Sequence, residues 1–253
     1  MTKSPASPKN SAAFFRVLCK EKQEGEFTKN SWLCYHQRMS YTYPISLLLA
    51  GKAVLVVGGG EVAARKVKGL CECGACITVV APALVSELKQ LADSGLCHWA
   101  NKTYETPDLA EATLVFACTD DEVVNARIWE DATQKNILVN VADRPDFCSF
   151  YLPSVLRRGK LSVAVSTDGS SPMTARLIRE NLEEQFDDTI AEYLSLLQSW
   201  REKIASALPA SKRRLFWQRV SEKEVYKLVK FGELAQAEAV LTDLYNELQQ
   251  ESQ

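Results

Sequence analysis

The stretch AVLVVGGGEVAARKV, residues 53–67, decides the fold. Five apolar residues, Ala53 to Val57, carry no charge and stop at three glycines, after which helical spacing begins at Val62. A short apolar run ended by glycine reads as a buried strand, and the amphipathic stretch behind it as a helix lying on that strand. The join between them, Gly58-Gly59-Gly60-Glu61-Val62-Ala63, has the form GxGxxA. Gly58 permits the tight turn, Gly60 lets the backbone approach a pyrophosphate with no Cβ in the way, and Ala63 allows close helix-to-strand packing. The unpaired N–H groups of the first helical turn carry the positive end of the helix dipole toward the phosphates. A glycine turn without a ligand can carry the same letters; the strand before it and the helix after it favour the dinucleotide reading.

Outward from this point the chain keeps alternating. Strand candidates are AVLVV (53–57), CITVVA (76–81), TLVFACT (113–119), ILVNVA (137–142) and LSVAVS (161–166), with a weaker one through Cys97 to Asn101. Helical spacing occupies Val62 to Cys73, Leu84 to Ser94 and Glu122 to Lys135. Alternation of this kind predicts an α/β fold with a doubly wound, Rossmann-type parallel sheet. After residue 161 one strand leads through a Ser/Thr/Gly loop into a helix whose start is set by Ser171 as N-cap and Pro172 at the first helical position. Residues 189–206 and 212–250 then read as an α-helical C-terminal domain.

Composition excludes several classes. The 253 residues are 46% apolar and carry 30 Lys+Arg against 32 Asp+Glu, so no global positive field draws the chain to nucleic acid or anionic lipid. The longest apolar stretches, Ile45 to Ala50 and Ala53 to Val57, fall short of the roughly 18 residues that span a bilayer, and a secretory leader is not recognisable, so a cytoplasmic protein with reduced cysteines is expected. Residues 1–40 begin Ser/Pro/Lys-rich and read as a disordered extension; Met39 is an alternative start.

Ligands of open α/β sheets bind at the carboxyl ends of the strands, which here carry Thr119-Asp120-Asp121 and Asn140-Val141-Ala142-Asp143. Asp143 is the candidate proton acceptor, with turn capping or pairing with Arg144 as the plainer alternative. The second strand ends on Ala81-Pro82-Ala83, without the acidic residue that holds a ribose or the arginine that holds a 2′-phosphate, which tilts the cofactor toward NAD. Cys71, Cys73 and Cys76 form C-x-C-x-x-C, but two fall at a helix end and the third in a buried strand, so packing is favoured over metal and no pre-formed metal site is expected. Arg157, Arg158, Lys160, Arg176 and Arg179 border the cleft and suit an acidic substrate, whereas Lys212-Arg213-Arg214 read as a solvated helix face.

The ordered series YPISLLLAGKAVLVVGGGEVAARKV, TDDEVVNARI, NVADRPDFCSFYLPS and LSVAVSTDGSSPMTARLIRE resembles the siroheme-synthase family of precorrin-2 dehydrogenases, some of which are also sirohydrochlorin ferrochelatases. The resemblance is strong from Tyr43 to Leu182 and weaker through KRRLFWQRV. It implies NAD-dependent oxidation of precorrin-2 to sirohydrochlorin, with or without insertion of Fe2+ or Co2+, and a homodimer. By motif, the catalytic aspartate falls on Asp143 and the cofactor contacts on Gly58, Gly60, Glu61, Val62, Ala63, Pro82, Ala83, Thr119 and Asn140. The substrate loop falls on Ser166, Thr167, Gly169, Ser170 and Ser171, and Thr167 stands where the best-known member has serine. Domains follow as residues 1–40, an extension; 41–152, the NAD-binding Rossmann domain; 153–188, a small α/β dimerisation segment; and 189–253, the helical domain. The competing reading is a non-catalytic module that senses NAD or a tetrapyrrole.

Overall fold

The computed structural model describes residues 41–250. The expectation of a disordered extension over residues 1–40, with its alternative start at Met39, lies outside the described residues. Of the two units into which the chain divides, residues 1–45 and Ser46–Gln253, the second carries every element discussed below.

Five strands, β1 (Ala53–Val57), β2 (Cys76–Val80), β3 (His98–Ala100), β4 (Leu114–Ala117) and β5 (Leu138–Val141), form one sheet of order β3-β2-β1-β4-β5. All four pairings are parallel, with Val54 opposite both Ile77 and Leu114. Helices α1 (Glu61–Glu72), α2 (Ser86–Asp93) and α3 (Glu122–Gln134) make the crossovers β1-α1-β2, β2-α2-β3 and β4-α3-β5.

Side-chain alternation along the strands builds two cores. Val54, Val56, Leu114 and Phe116 pack with Ala63, Ala64, Val67 and Leu70 of α1 and Leu88 of α2. The intervening Leu55, Val57, Val115 and Ala117 pack with Ile128 and Ala132 of α3. Helices therefore cover both faces, and the central strands are apolar at every position because neither face meets water.

LSVAVS stands apart from this sheet. Strand β7 (Leu161–Val165) pairs antiparallel with β6 (Ser154–Arg158), a strand absent from the sequence reading, across Gly159 at φ +54°. The positive φ makes the turn tight enough for a hairpin, which a crossover helix would otherwise have to replace. Helix α4 (Pro172–Gln185) follows and packs on the hairpin, starting as expected: the Ser171 side chain accepts from the Thr174 amide, with Pro172 at the first position.

The tail is four helices, α5 (Thr189–Ala207), α6 (Ala210–Glu222), α7 (Val225–Lys230) and α8 (Leu234–Gln250), around Trp200, Phe216, Leu241, Leu244 and Leu248. Two left-handed residues, Glu224 at φ 50° and Gly232 at φ 80°, break the single stretch expected over 212–250 into three. Lys212 and Arg213, expected on a solvated face, instead donate to the carbonyls of Leu248 and Leu208 at 2.7 Å each.

Candidate active site

The turn from β1 into α1 is fixed from three sides. The Gly58 amide donates to the Val80 carbonyl at 3.0 Å, the Cys118 amide to Val57 at 2.7 Å, and the Val85 amide to Gly59 at 2.8 Å. Gly58 has φ +124°, and a Cβ there would lie 2.3 Å from the Cys118 carbonyl oxygen. At Gly59 a Cβ would lie 1.8 Å from the Ala83 carbonyl oxygen, a constraint the sequence reading passed over because GxGxxA leaves that position free. Gly60, by contrast, has nothing within 4 Å of the same construction. Its empty side could admit a phosphate, beside the first-turn amides of α1, whose N-cap is Gly60 and has no side chain to occupy them. Ala63 is fully buried against the sheet. Glu61 is exposed and Val62 half-buried at the mouth of the turn.

Pro82 and Ala83 follow β2 and are exposed beside this turn. On the far side of β1 the rim continues with Thr119, which is held by Asn125: Asn125 Nδ2 donates to the Thr119 carbonyl at 2.8 Å, and its Oδ1 lies 2.9 Å from the Thr119 hydroxyl. Asn125 is the buried polar residue of the sheet domain, and only its location one turn into α3, facing back at the loop, reveals its task. Asp121 caps α3 by accepting from the amides of Val123 and Val124 at 2.9 and 3.2 Å.

Asp143 sits two residues beyond β5, exposed, with φ +57°. Asp tolerates this left-handed geometry because its short side chain can support the turn. Pairing with Arg144 is not what the structure shows: that guanidinium reaches Glu122 at 3.7 Å and lies over the Phe147 ring at 4.6 Å. The chain carrying Asp143 is tied back onto β5. The Ser149 amide donates to Val139 at 2.8 Å, Asn140 Nδ2 donates to the Phe150 carbonyl at 3.0 Å, and Phe147 stacks on Trp129 at 4.7 Å. The amide NH2 of Asn140, a candidate cofactor contact, is thus engaged in holding this loop.

Cysteines complete the rim without supplying a nucleophile. Burial pushes the Cys118 thiol up to about 11, and burial likewise raises Cys148, so both are neutral thiols at ordinary pH. The six cysteines among the described residues are free. Cys76 is exposed rather than buried: it opens β2 two residues before β3 begins to pair with that strand, whereas Cys71 and Cys73 pack against the core of the α1 face. Among the described residues no three Cys, His, Asp or Glu side chains converge to hold a metal. Among them, too, no helix is long and apolar enough to cross a membrane.

The loop from Ser166 to Ser171 lies beyond the hairpin. The Asp168 amide donates to Ser166 Oγ at 3.2 Å, the Ser170 amide to the Thr167 carbonyl at 2.8 Å and the Ser171 amide to Thr167 Oγ1 at 3.1 Å, with Gly169 at φ +79°. These bonds shape the loop itself, and the rim residues stand in a separate sheet. The arginines expected to await an acidic substrate have partners in the chain. Arg157 reaches Glu72, Arg158 reaches Asp188 and the Phe186 carbonyl, Arg176 reaches Glu180, and Arg179 reaches Glu183. Lys160 bonds Gln198. The structure therefore brings together the glycine turn, Pro82, Ala83, Thr119, Asn140 and Asp143 on one rim, at the point where strand order reverses between β1 and β4.

Three family models match in succession: a putative NAD(P)-binding region over residues 45–154, the central region of a sirohaem biosynthesis protein over 158–185, and a sirohaem synthase dimerisation region over 189–244. The siroheme synthase of Photorhabdus laumondii is 39% identical over 212 residues, which are 81% of this chain and 45% of that protein. Siroheme synthase 1 of Serratia proteamaculans is 39% identical over 199 residues, 78% of this chain and 42% of its own. The chain thus spans less than half the length of these relatives. Among solved structures, SirC, a precorrin-2 dehydrogenase, superposes with a TM-score of 0.66 at 31% identity, covering 78% of this chain and all of SirC.

Proposed function

The chain belongs to the siroheme-synthase family, with a precorrin-2 dehydrogenase among its relatives, and from that premise we propose that it oxidises precorrin-2 to sirohydrochlorin with NAD. The observation that carries this reading is the shared rim: an open glycine cradle at Gly60 and an exposed carboxylate at Asp143, on either side of the β1/β4 switch point.

The residues present fit a dinucleotide. Gly60 and the first-turn amides at Glu61 and Val62 would hold its pyrophosphate, Ala63 lets α1 approach the sheet, and Pro82 and Ala83 would border the adenosine. No cationic side chain follows β2 to meet a 2′-phosphate, which is why NAD is proposed over NADP. When bound, the nicotinamide supplies the hydride acceptor. Oxidation removes a hydride and a proton from the macrocycle; Asp143 takes the proton and, being exposed, returns it to solvent. The fixed left-handed backbone at Asp143 presents the carboxylate without help from Arg144, which is occupied elsewhere.

The same carboxylate can accept the pyrrole protons displaced when Fe2+ or Co2+ enters the product as a substrate, so metal insertion is the second activity this reading includes. Homodimerisation is a further part of it. On α4, Met173, Leu177 and Ile178 are exposed, and the hairpin beneath buries only Leu156 fully, an apolar surface suited to a second copy. A cytoplasmic setting belongs to the same proposal.

The test is an anaerobic absorbance assay with enzymatically made precorrin-2. NAD-dependent appearance of sirohydrochlorin is expected, followed by a metal-dependent spectral change above the protein-free rate. Asp143→Asn is expected to lower turnover by about 10²-fold or more while leaving NAD affinity unchanged. Binding of NAD by the natural protein without any oxidation would overturn the dehydrogenase reading in favour of a sensing module.

A further inference from the structure

On the α1 face of the rim stands a cation that makes no hydrogen bond and no ion pair among the described residues. Lys66, in the second turn of α1, is half-buried, and its Nζ lies 5.7 Å from the centre of the Phe116 ring on β4. Among the described residues it makes no hydrogen bond and no ion pair, unlike every basic residue of the hairpin and α4 named above. Burial foremost lowers its amine from the ordinary lysine value; Cys118, Cys148 and Asp143 act against that, and Arg65 acts with it. An ammonium withdrawn from water and left unpaired costs free energy that a structural role would have offset with a carboxylate. An aromatic face compensates part of that cost, and an incoming anion compensates the rest.

We infer that Lys66 is an anion-binding residue of the cleft, and that its ammonium receives a carboxylate of the macrocyclic substrate on the Asp143 side of the switch point. Placement separates this from the cofactor's phosphates. Those belong at the amides of Gly60 to Val62, on the β1 turn, whereas Lys66 lies over Phe116 of β4, within electrostatic reach of Asp143. A carboxylate seated there would fix the ring over Asp143 and favour substrates with an acidic side chain at that edge. The inference rests on the proposed oxidation of a carboxylate-bearing tetrapyrrole.

The test uses the full chain and sirohydrochlorin itself as probe, titrated anaerobically and read by the shift of its visible absorbance, with NAD titrated separately by tryptophan fluorescence. Lys66→Met is expected to weaken sirohydrochlorin by about 10- to 100-fold, the loss of one charge-assisted bond, and to leave the NAD dissociation constant within about twofold. Lys66→Arg is expected to restore most of the affinity, and melting curves establish that each variant is folded. Lys66→Gln serves as the test if the methionine variant does not fold. Unchanged sirohydrochlorin affinity in a folded Lys66→Met or Lys66→Gln protein overturns the inference. An equal loss of NAD affinity also overturns it, by placing the ammonium on a cofactor phosphate. If the natural protein binds NAD but not sirohydrochlorin, it is the substrate reading that fails, and this inference falls with it.

Discussion

At the residue scale, three adjacent glycines do three different jobs. Gly58 is needed for its backbone angle, Gly59 for the approach of the Ala83 carbonyl, and Gly60 for the space it leaves empty. Substitutions should therefore separate stability from binding. Gly59→Ala forces a methyl against backbone and is expected to destabilise by about 2–3 kcal/mol in urea unfolding. A Cβ at Gly60 has no atom within 4 Å, so Gly60→Asp should keep the unfolding free energy within about 0.5 kcal/mol of the natural chain while NAD affinity is lost, because a carboxylate then stands where the pyrophosphate is proposed to pass. A Gly60→Asp variant that still binds NAD would show the cofactor to be misplaced. The backbone angle of Gly58, the open side of Gly60 and the burial of Ala63 were legible because a fixed spacing encodes them. Gly59 was not, since its reason lies 24 residues away in the chain. The in-chain partners of Arg157, Arg158, Arg176 and Arg179 were equally hidden: a basic residue in sequence looks the same whether its carboxylate is supplied by a ligand or by the next turn of its own helix.

Elements were read best where burial is two-sided. β1 and β4 are continuous apolar runs, β2 and β5 are broken only by Thr78 and Asn140, and the helices between them show one clear face, so periodicity alone located them to within two or three residues. β6 was missed because Ser154–Arg158 is half-exposed, carries two arginines and has only Leu156 fully buried, which leaves no alternation strong enough to recognise. Folding of the β4–α3 join depends on Asn125, whose amide and carbonyl both serve Thr119. Asn125→Ala strands those loop groups and is expected to cost about 1–3 kcal/mol in thermal or urea unfolding, together with weaker NAD binding as the Thr119 loop loosens. Unaltered stability in that variant would mean that water replaces the side chain without loss.

For the whole molecule, the sheet domain has helices over both faces, whereas α4 and its hairpin leave Met173, Leu177 and Ile178 in water. A second copy over that surface is the proposal, and Leu177→Glu combined with Ile178→Asp is expected to halve the sedimenting mass while leaving NAD affinity intact; an unchanged mass would move the contact to the helical domain. Sequence reading could place these apolar residues on a helix but could not show which of them the chain itself covers. The loop tied onto β5 has a consequence of a different kind. Its far end is bonded to β5 at Ser149 and Phe150, and Phe147 within it is stacked on Trp129, so the backbone carrying Asp143 is set when the chain folds. Under the proposed oxidation, little reorganisation energy would remain to be supplied as Asp143 takes the proton, and a rate advantage would be stored in the stability of this loop.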